Sequence, residues 1–264
     1  MPVPAPAPWR SSFLTHISQM PSPEFTLATT TTTRPFLPRA RTCIFRGFWT
    51  ALPTSVHNPA PRNPPIYESD CLTFTTDARS EKVRELTRHP EANRDGSGGA
   101  DVEAVFWARE AGVQWRVRGK AYVLDLEEAD REVRSHHERV TARVVVSQWM
   151  RRVGEGTGWS WKREVEAHFG NMAPVMRGSF KAPPPGKPVD EEYDSASLKQ
   201  GELVEDLQDP VARENFRVVV ITPFEVEATD LNDMARARRR LYTLEELDER
   251  EDREEQWTEV ETWP

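Results

Sequence analysis

Arg39-Ala40-Arg41-Thr42-Cys43-Ile44-Phe45-Arg46-Gly47-Phe48-Trp49 and, after a Pro-rich excursion, Leu72-Thr73-Phe74-Thr75-Thr76-Asp77-Ala78-Arg79-Ser80-Glu81-Lys82 are the two runs on which the fold turns. In the first, Arg41 and Arg46 bracket the apolar residues Cys43, Ile44 and Phe45, so residues 39–49 read as a strand. The second is a short apolar strand ending at Thr75, Thr76 and Asp77. Asp77 suits a helix N-cap, and residues 78–89 are strong helix formers. That reading puts Arg79, Ser80 and Lys82 in a first helical turn, where free N–H groups and the helix dipole favour an anion. Two strands and a helix start rich in cations and hydroxyls suit a phosphate-bearing cofactor.

Working outward, residues 9–17 read as a short amphipathic helix, with Trp9, Phe13, Leu14 and Ile17 at helical spacing, stopped by Pro21 and Pro23. Residues 25–32 read as the first strand, and residues 52–66, rich in Pro and Asn, as a surface loop. Residues 102–108 and 113–124 are the most regular strands. In the latter, Trp115, Val117, Gly119, Ala121 and Val123 share one face, and Gln114, Arg116, Arg118 and Lys120 the other. Residues 127–152 read as a charged helical region with a solvated face, and residues 161–169 as another helix. Residues 181–197 combine Pro with acids and read as a disordered loop. Residues 216–223 and 224–231 read as two strands. An acidic tail, 245–255, precedes an edge strand over 257–264.

The chain has 264 residues, 37% of them hydrophobic and 30% charged, enough for a real core with extensive loops and solvated helices. Its formal net charge of −8 argues against nucleic acid as main partner, and no apolar run is long enough to span a bilayer. The two cysteines, Cys43 and Cys71, read as reduced thiols, which points to the cytoplasm. Residues 1–7 lack signal-peptide character and read as a disordered tip. Up to Arg41 the chain has several arginines and one acid, Glu24, mildly like a mitochondrial transit peptide. The six histidines form no metal-ligand spacing, and His136 and His137 read as helix surface. No Gly-rich phosphate loop or nucleophile elbow occurs.

Five pieces in order, RTCIFRGF (41–48), LTFTTDARSEK (72–82), VQWRVRGKA (113–121), FKAPPPG (180–186) and NFRVVVITPFEVEATDL (215–231), resemble the pyridoxamine 5'-phosphate oxidase-like family of FMN-binding split barrels, in the branch known as the FMN-binding domain. The resemblance implies a mainly β fold: an antiparallel split barrel with peripheral helices. It spans residues 8–264 as one domain, with inserted loops near 52–68, 93–100 and 181–200. It also implies FMN as cofactor, a homodimer with a flavin at each subunit interface, and no membrane partner.

Carried over residue by residue, the resemblance gives Arg41, Cys43, Ile44, Phe45 and Arg46 to the cofactor-holding strand. Thr75 and Thr76 become the ring-contacting pair, Ser80 and Lys82 the phosphate side, and Gln114 a hydrogen bond to the ring. Arg46 stands where Lys is common, keeping the charge with a different donor geometry. Glu81 reverses a family arginine, and Arg79 is the candidate to supply the missing guanidinium. On the residues alone, solvated arginines and a capped surface helix remain an open reading. Arg236, Arg238 and Arg240 lie near the oxidases' C-terminal Arg-x-His-x-Arg pattern, with Arg238 in place of His, and read as a solvated basic stretch balancing the acidic tail.

The implied function is FMN binding in a flavin-dependent oxidoreductase, with no catalytic residue named. The alternative is a non-catalytic or degenerate flavin-binding split-barrel interaction protein. Efficient pyridoxamine 5'-phosphate oxidation is not expected: residues 132–140, EVRSHHERV, lack the oxidases' substrate-gripping tyrosine.

Overall fold

The computed structural model describes residues 4–88, 98–126, 142–247 and 254–264. The chain begins with α1 (Arg10–Ile17), then β1 (Glu24–Thr30), β2 (Pro38–Ile44) and the two-residue β3 (Gly47–Phe48). After the long loop come β4 (Tyr67–Glu68), β5 (Leu72–Asp77) and α2 (Glu81–Arg88). β6 (Ala100–Ala108) and β7 (Val113–Leu124) form the next hairpin. A helical layer follows, made of α3 (Ala142–Ser147), α4 (Trp161–Gly170), α5 (Pro174–Gly178) and α6 (Pro210–Asn215), with β8 (Arg151–Arg152) pairing β4. The chain then returns to the sheet with β9 (Phe216–Asp230), β10 (Arg238–Leu247) and β11 (Glu254–Thr262).

Among the described residues nine strands form one antiparallel sheet. Its path runs β11-β10-β9-β7-β6-β1-β2, and β9 pairs with β5, which pairs with β3. β2 and β3 are successive parts of one run, broken where the backbone changes partners. The Phe45 N–H still donates to Pro23 O on the β1 side at 2.9 Å, while the Arg46 N–H donates to Thr73 O on β5 at 2.8 Å. The sheet therefore curls round and is split at Phe45 and Arg46. This is the mainly β, antiparallel split barrel expected from the sequence, although the run 39–49 is two strands rather than one.

Period-two alternation divides the core in two. Inside the barrel, Phe25, Leu27, Phe106, Trp115, Val117 and Ile221 surround the apolar face of α1 and its N-cap, with Phe13 and the capping Trp9 fully buried. Phe13 meets Phe106 and Trp115 edge-on, with ring centroids 5.1 and 5.5 Å apart, the arrangement that ring quadrupoles favour. On the other face, Tyr122, Leu124, Val218 and Val220 pack on the helical layer through Val146, Val165 and Phe169. β7 and β9 serve both cores because Ala121 and Ile221 point one way, and Tyr122 and Val220 the other.

Several sequence expectations shift. Residues 216–230 make one strand, β9, where the sequence pattern predicts two over 216–231. Pro223 lacks an N–H, and the register slips there: Arg118 faces Glu225 but Gly119 faces Pro223, which leaves Phe224 as the bulged residue. Gly119 is required at this crossing, since a Cβ would lie 2.4 Å from Thr222 O. The helix expected over 78–89 starts at Glu81. Asp77 is the last residue of β5, opposite Phe216, and its carboxylate accepts the Arg79 N–H at 2.8 Å in an Asx turn. The 181–197 stretch has no strand, but its base is pinned: the Lys199 N–H donates to Lys181 O, and Lys181 pairs with Glu202 and Asp209. Within the supposed disordered tip, the Ala7 N–H donates to Asp70 at 3.0 Å, and Arg151 reaches Pro4 O. The expected insertion at 93–100 falls largely outside the described residues, as do His136 and His137. No described helix is long and apolar enough to cross a membrane.

Candidate functional site

β5 and α2 meet in a corner lined by hydroxyls and one cation. Thr76 and Ser80 are buried, with Oγ atoms 3.3 Å apart. Lys82 Nζ donates to Thr76 Oγ1 at 3.2 Å, its one hydrogen bond among the described residues, and no described carboxylate pairs with it. Cys43 lies beside this corner on β2. Burial raises its thiol pKa, and the nearby cations Lys82 and Arg41 pull it back down. Thr75, half-buried, faces Val218 across the β5–β9 ladder. An unpaired ammonium beside two hydroxyls, at the start of a helix, has the chemistry of an anion site.

The other cations of this region are already matched. Arg41 donates through Nη1 to Thr29 Oγ1 and through Nη2 to Glu85 Oε2, both at 2.5 Å. Arg79 is gripped by Asp77, with Nε–Oδ1 at 2.9 Å and Nη2–Oδ2 at 2.7 Å, and also reaches Phe180 O. It precedes the helix, so it does not share a helical face with Lys82 as the sequence suggested. Glu81 pairs with Arg39 on the surface, which accounts for the reversed charge at that position.

The strand residues divide by orientation. Ile44 is half-buried opposite Glu24. The Phe45 side chain belongs to the barrel core, edge-on to Phe13 at 5.6 Å and Phe48 at 5.5 Å. Arg46 is half-buried, its Nε has no hydrogen-bond partner, and desolvation lowers its pKa. Near it lies a group that the sequence reading missed. His168 on α4 is buried flat against Trp49 at 5.9 Å, both of its ring nitrogens unpaired. Burial, reinforced by Arg46 and Arg62, pushes its pKa down to about 3. One helical turn earlier Glu164 is also buried; it accepts from the Thr50 N–H and from Asn63, and burial raises its pKa. Their sequence signal is a polar residue on the apolar stripe of a helix.

Gln114 stands apart. It faces Trp107 and Thr229, three strand spacings from β2 through β6 and β1, roughly 14 Å along the sheet. Within one chain the structure therefore brings together Arg41, Cys43, Thr76, Ser80 and Lys82, and leaves Gln114 and Arg79 outside that group.

The C-terminal arginines are engaged with acids. Arg238 pairs with Glu261 at 3.3 Å and lies over Trp263, Arg240 pairs with Glu259, and Arg236 with Asp233. Residues 132–140 lie outside the described residues. Among the described residues no cluster of His, Cys, Asp or Glu could hold a metal ion, and both cysteines are buried free thiols.

Residues 6–125 match the family model described as "Pyridoxamine 5'-phosphate oxidase, FMN-binding domain". No curated protein matches the sequence. Among solved structures, the chain is similar to a pyridoxamine 5'-phosphate oxidase-related, FMN binding protein from Nostoc punctiforme PCC 73102. That match has 18% identity and a TM-score of 0.60, and covers 98% of this chain and 100% of that one. PhzG from Burkholderia lata 383, in complex with tetrahydrophenazine-1-carboxylic acid, matches at 16% identity and a TM-score of 0.47, with full coverage of both chains. At 18% identity, the likeness to the Nostoc punctiforme protein is one of fold.

Proposed function

We propose that the chain, whose residues 6–125 match the pyridoxamine 5'-phosphate oxidase FMN-binding domain model, is a member of that family, binds FMN and serves a flavin-dependent oxidoreductase. The observation that carries this reading is Lys82: a cation with no described carboxylate partner, beside the buried hydroxyls of Thr76 and Ser80 at the head of α2. A phosphate monoester supplies the anion and acceptor oxygens that this donor set lacks. Arg46, with its unpaired Nε, is a further donor for a polar edge of the ligand.

In this reading Ser80, Lys82 and the free donors of Arg41 hold the phosphate. The backbone through Cys43, Ile44 and Phe45 and the pair Thr75 and Thr76 flank the ring. When bound, the flavin supplies the redox chemistry, while the chain orients the ring and sets the charge around it. Because Gln114 stands three strands from β2, this reading assigns its contact with the ring to a second copy of the chain. Hence the reading includes a homodimer, and it treats residues 8–264 as one domain.

The test is to incubate the purified protein with FMN or FAD, remove free flavin, and record the visible spectrum before and after anaerobic addition of NADPH or NADH. A retained FMN chromophore that bleaches supports the oxidoreductase reading. A retained chromophore that no donor or substrate reduces supports a non-catalytic flavin-binding protein. No retained flavin rejects both.

A further inference from the structure

Glu85 brings a carboxylate into the inward face of α2, between Val83 and Leu86, and is 3% exposed. Its Oε2 accepts from Thr29 Oγ1 at 2.6 Å and from Arg41 Nη2 at 2.5 Å, while Arg41 Nη1 donates to the same Thr29. The three side chains close a ring of hydrogen bonds at the end of the barrel. Oε1 of Glu85 has no hydrogen-bond partner, and Arg39 Nε lies 3.8 Å from it. Buried carboxylates of this kind persist only with a cation beside them. Arg41 is that cation.

The same arginine flanks the anion corner: Arg41 lies two residues from Cys43 on one face of β2, and both Arg41 and Lys82 act on the Cys43 thiol. A phosphate drawn to the remaining donors of Arg41 would therefore sit next to the Glu85 carboxylate, where partial burial weakens screening of the repulsion by water and salt. Arg79 and Asp77 repeat the pattern on the other side, leaving Lys82 as the uncompensated cation of the corner among the described residues.

We propose that Glu85 is an internal counter-anion that competes with the ligand phosphate for Arg41 and so limits what the phosphate adds to flavin affinity. This inference rests on the FMN reading above. It makes Glu85 a residue that sets specificity between the phosphorylated flavin and its phosphate-free form.

The experiment titrates the wild-type chain, Glu85→Gln and Glu85→Met with FMN and with riboflavin, following flavin fluorescence, after circular dichroism has verified each fold. Glu85→Gln keeps a hydrogen-bond acceptor for Arg41 and removes the charge, so the preference for FMN over riboflavin should rise about tenfold. Glu85→Met removes charge and acceptor together, and the preference should rise there too. An unchanged or reduced preference in Glu85→Gln overturns the proposal. So does a loss confined to Glu85→Met, because it would make the carboxylate a support for Arg41 rather than its competitor. If neither flavin binds any of the three proteins, the flavin reading itself fails. If both bind with the preference unmoved, that reading stands and only this inference falls.

Discussion

Arg41→Ala separates the structural load on this arginine from its role in binding. The substitution removes both contacts to the ring formed with Thr29 and Glu85, and leaves Glu85, 3% exposed, as a buried carboxylate with one hydrogen bond, from Thr29, and only the longer 3.8 Å pair with Arg39. Breaking a buried pair by deleting one partner destabilises by about 3–5 kcal/mol. The Arg41 side chain is 20% exposed, so water can reach part of the gap and the lower end applies, about 3 kcal/mol. For a chain of this size each kcal/mol moves the melting temperature by about 2–4 °C, which gives a fall of roughly 6–12 °C. Thermal unfolding followed by circular dichroism, without added flavin, reads this directly. The double substitution Arg41→Ala with Glu85→Leu should recover most of the loss, because no charge is then stranded. An Arg41→Ala melt superimposable on wild type would refute the argument, since the Glu85 carboxylate would then be solvated.

Lys82→Ala should behave oppositely: the melt stays near wild type, and FMN binds about tenfold or more weakly, the loss of one charge-assisted hydrogen bond of about 1.5–3 kcal/mol. Equal affinity by fluorescence titration would place the phosphate elsewhere. His168 is buried in its neutral form with its pKa pushed down to about 3, so the unfolded chain binds more protons between pH 6.5 and that value. Stability should fall on acidification through this window by up to about 1.4 kcal/mol per pH unit, and urea melts of His168→Phe should show a shallower fall. Glu164 has the opposite sign: its folded pKa is raised, so its contribution is lost as pH climbs above the ordinary carboxylate range, and Glu164→Gln should remove that slope. Sedimentation at micromolar concentration should give twice the chain mass; a strict monomer that binds FMN one to one would exclude a site completed by a second copy.

The barrel was legible where the sequence repeats itself every second residue. Trp115, Val117 and Gly119 alternate with Arg116 and Arg118 because one face is core and the other meets Glu103 and Glu225 in ion pairs. The same rule misread β9, because a proline inside a run of alternating residues marks a strand end as readily as a bulge. Helix α1 was legible from the spacing of Trp9, Phe13 and Ile17, all buried. The start of α2 was not: Asp77 caps helices and closes Asx turns with the same carboxylate, and its place in the β5–β9 ladder decides between them. Of the candidate site, the hydroxyls and Lys82 were visible as a local cluster. Their counter-ions were hidden, because Glu85 meets Arg41 across 44 positions of sequence and Asp70 meets Arg10 across 60. Such pairings depend on how α2 and α1 sit against the barrel, which no local pattern records.

The central claim, that the corner formed by β5 and α2 receives the phosphate of a flavin, is tested most directly by one titration. Flavin fluorescence is followed as the chain is added to a fixed concentration of FMN, with Lys82→Ala measured alongside. The account predicts saturable quenching at one FMN per chain for the wild-type protein and a curve shifted at least tenfold for Lys82→Ala. Fluorescence that stays that of free FMN at saturating protein, or superimposable curves for the two chains, would contradict it.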